Sequence, residues 1–153
     1  MKFNFYALRA IYLHEMDRFR RTLLQSLLSP VLSTSLYFIV FGSVIGDYVE
    51  SIDGLSYGSY IVPGLLMLTL LTQSISNTSF GIFFPKFNGT IYEILAAPIS
   101  TFEVVLAFVG AGATKTLIVG VVIFVTSLFF VDVTVKYPLL MIFLLVLVAF
   151  TFA

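Results

Sequence analysis

Long runs without a charged residue constrain this chain more than any other feature of its sequence. Four segments are almost free of Asp, Glu, Lys and Arg: residues 22–46, 54–85, 104–131 and 137–153. Lys115 is the one exception within them. An α-helix needs about 20 apolar residues to cross the hydrocarbon core of a bilayer. The runs therefore predict four transmembrane helices, of which the fourth is cut off at Ala153, so we expect the front part of a longer membrane protein.

Composition supports the same class. The chain is 59% hydrophobic and only 10% charged, whereas soluble domains average about 25% charged residues. Eight basic and eight acidic residues cancel, so no net field favours nucleic acid as a partner. The predicted fold is all-α: a polytopic helical membrane protein, with an amphipathic interfacial helix at residues 1–21 and a transmembrane domain at residues 22–153.

Basic residues set the predicted orientation, because cytoplasmic segments of membrane proteins are enriched in Lys and Arg. Residues 1–21 carry five basic side chains, and the loop at 47–53 carries three acidic ones and no base. We therefore expect a cytoplasmic N-terminus and an outer loop at 47–53. Counting spans then places residues 85–103 inside and residues 132–137 outside.

The first 21 residues show apolar side chains at helical spacing, from Phe5 and Leu8 through Tyr12 to Phe19. Charged residues, including Glu15, occupy much of the remaining surface. Such a helix can lie in the cytoplasmic interface with its arginines toward anionic headgroups. The alternative is a charged flank that only orients the first span.

The second span is rich in hydroxyl and amide side chains toward its end, from Thr69 to Ser79, including Gln73 and Asn77. In a bilayer such groups need partners on other helices or water in a cavity. They could therefore line a translocation path or only hold helices together, and the pattern does not choose between these roles.

The stretch VGAGATKT, residues 109–116, looks at first like a phosphate-binding loop. A Walker A loop is G-x-x-x-x-G-K-[ST], but this chain has Val109 and Thr114 where glycines are required. The stretch also lies inside a predicted span, so we exclude a nucleotide site there. Gly112, Thr116 and Gly120 instead recur every four residues and predict a ridge of small residues for close helix packing.

Lys115 is the one charge predicted inside a span. It lies about 17 Å along the helix from Val104, near the bilayer midplane if the helix begins there. Because an unpaired charge in hydrocarbon is costly, we expect Lys115 to face a polar cavity or a buried carboxylate. The alternative is a third span that begins later, with Lys115 reaching the cytoplasmic edge.

No catalytic residue, cofactor site or metal site is predicted. The chain has no cysteine, and its single histidine is His14. Asp47, Glu50 and Asp53 could meet a cation, although a solvated acidic loop is the simpler interpretation. The chain is therefore not expected to be an enzyme.

The predicted cytoplasmic segment at residues 85–100 contains a short helix. Asn88-Gly89 is a turn signal, Thr90-x-x-Glu93 is a capping-box pattern, and Pro98 ends the helix. A helix of about two turns is too short to be stable alone. It must dock on other helices of the chain or on a cytoplasmic partner, although the residues alone favour a simple connecting loop, since most connections have no further role.

With these features, the sequence resembles the membrane subunit of an ABC-2-type transporter, over the first four of the usual six spans. Residues 16–42 resemble the family's interfacial helix running into its first span, and residues 59–68 resemble the entry to its second span. KFNGTIYEILAAPIS, residues 86–100, is similar to the family's cytoplasmic coupling loop. The most specific match is carried by these residues: Gly89, Thr90, Glu93, Leu95 and Pro98.

The resemblance implies a permease of an ATP-driven exporter in the inner (plasma) membrane, without catalysis of its own. A separate ATP-binding subunit would dock on the coupling segment, with these contact residues: Gly89, Thr90, Ile91, Tyr92, Glu93, Leu95 and Pro98. A second permease subunit, in a homodimer, and the lipid bilayer would be its other partners, and Gln73, Asn77 and Lys115 would line the path. The alternative is a self-contained four-span channel or ion-coupled carrier that uses Lys115.

Overall fold

The computed structural model describes residues 3–45, 57–130 and 137–153, and the regular elements in these ranges are all helical. In chain order they are α1 (Phe5–Arg21), α2 (Leu23–Tyr37), a π-helical segment (Phe38–Ile45), α3 (Tyr57–Phe87), α4 (Ile91–Ala96), α5 (Thr101–Phe130) and α6 (Pro138–Thr151). The prediction of an all-α polytopic protein is confirmed.

Among the described residues, three helical stretches are long and apolar enough to cross a membrane: Leu23–Phe41, Tyr57–Phe87 and Thr101–Phe130. The fourth predicted span is represented by α6, which is apolar but has only 14 residues. The acidic loop predicted at 47–53, with its cation alternative, and nearly all of the outer connection at 132–137 lie outside the described residues.

Helix α5 is the centre of the described fold, because α1, α2, α3 and α6 all pack against it. Half of its most apolar stretch is buried within the chain. The buried face is built mainly from small side chains: Ala107, Ala111, Gly112, Ala113, Thr116 and Gly120. Helices in a bilayer associate largely through close packing, and small residues allow their backbones to approach.

The predicted small-residue ridge lies where α5 meets α3. A Cβ atom added at Gly112 would overlap the hydroxyl of Thr78, and one added at Gly120 would lie 2.5 Å from Leu70 Cδ2. The opposing face of α3 presents a buried residue every four positions from Leu66 through Leu70 and Ser74 to Thr78. Ser74 Oγ then donates a hydrogen bond of 2.8 Å to the carbonyl of Ala149, which fastens α6 to the same interface.

Helix α1 lies along the first half of α5, in the same chain direction. The backbone N–H of Asn4 donates to Glu103, the hydroxyl of Tyr12 contacts that of Thr114, and Glu15 contacts Lys115. The start of α1 and the segment just before α5 are therefore at the same end of the molecule. Those are the two regions that the sequence assigns to one side of the membrane.

One expectation about α1 is wrong. The periodicity assigned Glu15 to the polar surface, but the structure buries it, and its side chain is only 2% exposed. Phe5, on the predicted apolar face, is 62% exposed within the chain, which is compatible with the expected contact of that face with the membrane interface. The buried residues of α1 are Glu15 and Phe19, because a cation on α5 compensates the carboxylate. A pattern that counts only hydrophobicity cannot anticipate this partner.

Candidate functional site

Glu15, Arg18 and Lys115 form a buried ion cluster between α1 and α5. Lys115 Nζ donates to Glu15 Oε2 at 2.7 Å, and the Arg18 guanidinium reaches the same oxygen at 2.9 Å. Glu15 and Lys115 are 2% and 4% exposed, and Arg18 is 24% exposed. The carboxylate expected near Lys115 therefore comes from α1, and two cations share it.

Lys115 lies near the middle of α5 and beside Glu15, which precedes the exposed Arg20 and Arg21 and the start of the apolar stretch at Leu23. The depth of Lys115 in the bilayer, at the midplane or at the cytoplasmic edge, stays a prediction.

A second buried carboxylate, Glu103, was missed by the sequence reasoning. It is 3% exposed and accepts hydrogen bonds from the backbone N–H groups of Ser100, at 2.9 Å, and Asn4. Glu103 thus caps the start of α5 and ties down the N-terminus of α1. The signal was available, because Ser100-x-x-Glu103 is the same capping-box pattern that was recognised at Thr90.

The coupling segment predicted at 85–100 contains α4, although its start differs from the expected capping box. Gly89 has a φ of +79°, a left-handed conformation that glycine adopts without strain. The hydroxyl of Thr90 donates to the carbonyl of Pro85 at 3.3 Å and makes no side-chain cap for α4. Ala97 is extended, as expected for a residue before Pro98, and the helix ends at Ala96.

Most of α4 faces away from the rest of the chain. Tyr92 and Leu95 are 74% and 64% exposed, and Glu93 is also exposed, whereas Ile91 and Ile94 are partly buried. The helix packs mainly against α3. Phe87, at the end of α3, is 76% exposed and adds to the apolar surface here. This end of the molecule therefore presents a small surface with aromatic, aliphatic and acidic side chains.

A cavity of about 630 Å³ lies between the α1–α2 junction, α3 and α5. Its polar lining consists of Arg18, Thr22, Gln25, Ser26, Ser76, Asn77 and Lys115, and three phenylalanines complete it: Phe19, Phe80 and Phe84. Asn77 and Lys115, two of the three predicted path residues, thus share one cavity. Gln73 is partly buried and does not line it.

The Asn77 side chain is incompletely satisfied in this cavity. Its Nδ2 atom is buried and has no hydrogen-bond partner among the described residues. A buried amide donor without a partner costs about 1–3 kcal/mol. The cavity therefore combines two cations of the ion cluster with aromatic walls, and the unpaired amide nitrogen of Asn77 lies buried at its lining.

Comparison with known proteins matches residues 6–153 to the family described as ABC-2 type transporter. The inner membrane transport permease YadH of Escherichia coli K12 is 38% identical over 147 residues, which cover 96% of this chain and 57% of that protein. The same protein from E. coli O157:H7 and from Shigella flexneri matches to the same extent. No solved structure matches.

The match extends through both parts of the candidate site. It includes the ion cluster on α1 and α5 as well as the whole of the 85–100 segment. The chain spans 57% of the length of the curated relatives named above. With its long apolar helices and a family match over nearly all its residues, the chain belongs to the ABC-2 type transporter family.

Proposed function

We propose that this protein is the non-catalytic membrane subunit of an ATP-driven ABC-2-type exporter, and that a separate ATP-binding subunit docks on residues 85–100. The observation that carries this proposal is α4, a six-residue helix between two spans whose Tyr92, Glu93 and Leu95 face outward. ATP would be hydrolysed on the partner, and movement of α4 would pass to the spans on either side of it.

The exposure of α4 supports a protein partner. A helix of this length gains too little from its own hydrogen bonds to be stable in isolation. Its contacts within the described chain are mainly with the end of α3, so most of Tyr92 and Leu95 is left uncovered. Tyrosine is enriched among the residues that dominate binding energy at interfaces. A docked subunit would bury these side chains and fix the helix.

The orientation, the localisation and the translocation path of the protein follow from docking on residues 85–100. The N-terminus and the 85–100 segment would face the cytoplasm, where ATP is available, and the protein would be a multi-pass protein of the inner membrane. Its relative YadH is named an inner membrane transport permease. A second copy of the subunit would complete the translocation path. Asn77 and Lys115 would contribute to that path through their shared cavity, whereas Gln73 is supported by its position on α3 alone.

The docking can be tested by cysteine cross-linking, because the chain has no cysteine of its own. Tyr92→Cys, co-expressed with the ATP-binding subunit and treated with a short thiol–amine cross-linker, should give a covalent adduct of the two subunits. Tyr60→Cys is the matched control: Tyr60 is 57% exposed and lies near the opposite end of α3. An adduct from Tyr60→Cys but not from Tyr92→Cys would contradict the proposal.

A further inference from the structure

The ion cluster leaves one positive charge in excess. Lys115 and Arg18 both contact Oε2 of Glu15, so two cations face one carboxylate. Lys115 is nearly fully buried and lines the cavity together with Arg18. A buried charge is stable only when it is paired or hydrated. An anionic group in the cavity would complete the neutralisation.

The position of Arg18 directs this charge toward the cavity. Its guanidinium lies over the rings of Phe80 and Phe84, with Cζ 5.5 and 5.6 Å from the ring centroids. The pair with Glu15 uses only Nη2 of the guanidinium, and a guanidinium carries five N–H donors in all. Aromatic faces fix a cation in place without neutralising it. Arg18 is therefore held at the cavity wall with donors to spare.

Asn77 supplies an independent observation. Its Nδ2 is a buried donor without a partner, on the same cavity. An oxygen acceptor near this nitrogen would remove the cost of leaving it unpaired. Thr22, Ser26 and Ser76 line the cavity as well, but the hydroxyls of Thr22 and Ser26 already donate within the chain. The lining thus offers the amide of Asn77, the guanidinium of Arg18 and an excess positive charge to an oxyanion.

We propose that this cavity binds the phosphate headgroup of an anionic phospholipid from the adjacent leaflet. The cavity lies beside the α1–α2 junction, where a charged helix meets the first apolar span, which is the level of lipid headgroups. Phe80 is 54% exposed and Phe84 is 39% exposed, so an apolar surface for acyl chains adjoins the polar lining. The proposal does not depend on ATP-driven transport.

Native mass spectrometry of the purified protein tests the site. With phosphatidylglycerol and phosphatidylcholine added at equal concentration, the wild-type protein should retain phosphatidylglycerol preferentially. Arg18→Gln should lower that preference about fivefold, from about 1 kcal/mol per basic residue near an anionic headgroup. Asn77→Leu should also lower it, although it changes no charge. Arg20→Gln removes the same charge from an exposed position of the same helix and should leave the preference unchanged.

Four results would overturn the assignment. An equal loss in Arg20→Gln would mean general attraction to the charged helix, and full preference in Asn77→Leu would place the lipid elsewhere. Displacement by millimolar inorganic phosphate would identify a site for free anions. Equal retention of phosphatidylglycerol and phosphatidylcholine by the wild-type protein would reject the lipid site. Another part of the protein or a second copy would then fill the cavity. None of the three variants removes the contact between Glu15 and Lys115.

Discussion

Glu15 and Glu93 lie on the same predicted side of the membrane, but their carboxylates have opposite environments. Glu15 is buried on α1 against Lys115 and Arg18, whereas Glu93 is exposed on α4, which has little of the chain around it. A buried carboxylate with two cations holds helices together. An exposed one on a short, lightly packed helix is available to another molecule.

The comparison therefore separates stability from function. Substitutions at the α1–α5 and α3–α5 contacts should act mainly on folding, because these side chains have their partners within the chain. Substitutions on α4 should leave folding almost unchanged and act on the partner. This separation can be tested by substitution, from the largest expected effect on stability to the smallest.

Lys115→Met should have the largest effect on stability. Removing one partner of a buried ion pair costs about 3–5 kcal/mol when the remaining charge is left uncompensated. Arg18 would remain beside Glu15, so the lower part of this range is expected. The loss should appear as a lower midpoint of thermal unfolding for the purified protein in detergent.

The double variant Glu15→Gln/Lys115→Met is the control for that prediction. It removes both buried charges and leaves Arg18, which is 24% exposed, and it should recover much of the lost stability, because neither substituted side chain carries a buried charge that needs compensation. A Lys115→Met protein as stable as the wild type would show that the pair does not hold α1 to α5. The comparison between Glu15 and Glu93 would then fail.

Gly112→Leu should have the second-largest effect on stability, because its side chain would push α5 away from α3. Its side chain would overlap Thr78, whereas a Cβ at Gly64 on α3 would meet nothing within 4 Å. Overpacking of a well-packed site typically costs about 1–3 kcal/mol, so Gly112→Leu should lower the thermal midpoint and Gly64→Leu should not. Equal midpoints for the two variants would contradict the close α3–α5 contact.

The sequence predicts the fold well because the strongest rules apply to it. Charge-free runs locate α2, α3 and α5. The spacing of Gly112, Thr116 and Gly120 predicts that another helix packs closely against α5. The end of α4 before Pro98 also follows from local backbone sterics. Each of these features depends on residues that are close together in the chain or on simple periodicity.

The candidate site is less predictable because it depends on contacts between distant residues. Glu15 and Lys115 are separated by 100 positions, so periodicity places Glu15 on the polar surface of α1. The pattern at Thr90 and the pattern at Ser100 are equivalent in sequence, yet only Glu103 makes its capping contact, with Ser100. Tertiary contacts decide such cases. The roles assigned to the 85–100 segment and to the translocation path stay predictions.

Substitutions on α4 should have the smallest effect on stability and the clearest effect on the proposed partner. Glu93→Arg changes an exposed residue and should shift stability by no more than about 0.5 kcal/mol. Gly89→Trp, just before α4, places a bulky residue at a φ of +79° and should cost about 1–2 kcal/mol locally, so it tests coupling and not the order of stability effects. Both should abolish the stimulation of ATP hydrolysis that the membrane subunit gives its ATP-binding partner in proteoliposomes.

The control for α4 is Asp17→Arg, which makes the same charge reversal at an exposed position of α1. It should retain full stimulation, because α1 is fastened to α5 and is not expected to dock on the partner. If Asp17→Arg and Glu93→Arg reduced stimulation equally, the loss would reflect the charge of the cytoplasmic face as a whole. If Glu93→Arg instead lowered the thermal midpoint as much as Lys115→Met, α4 would belong to the folded core, and the separation between the two carboxylates would not hold.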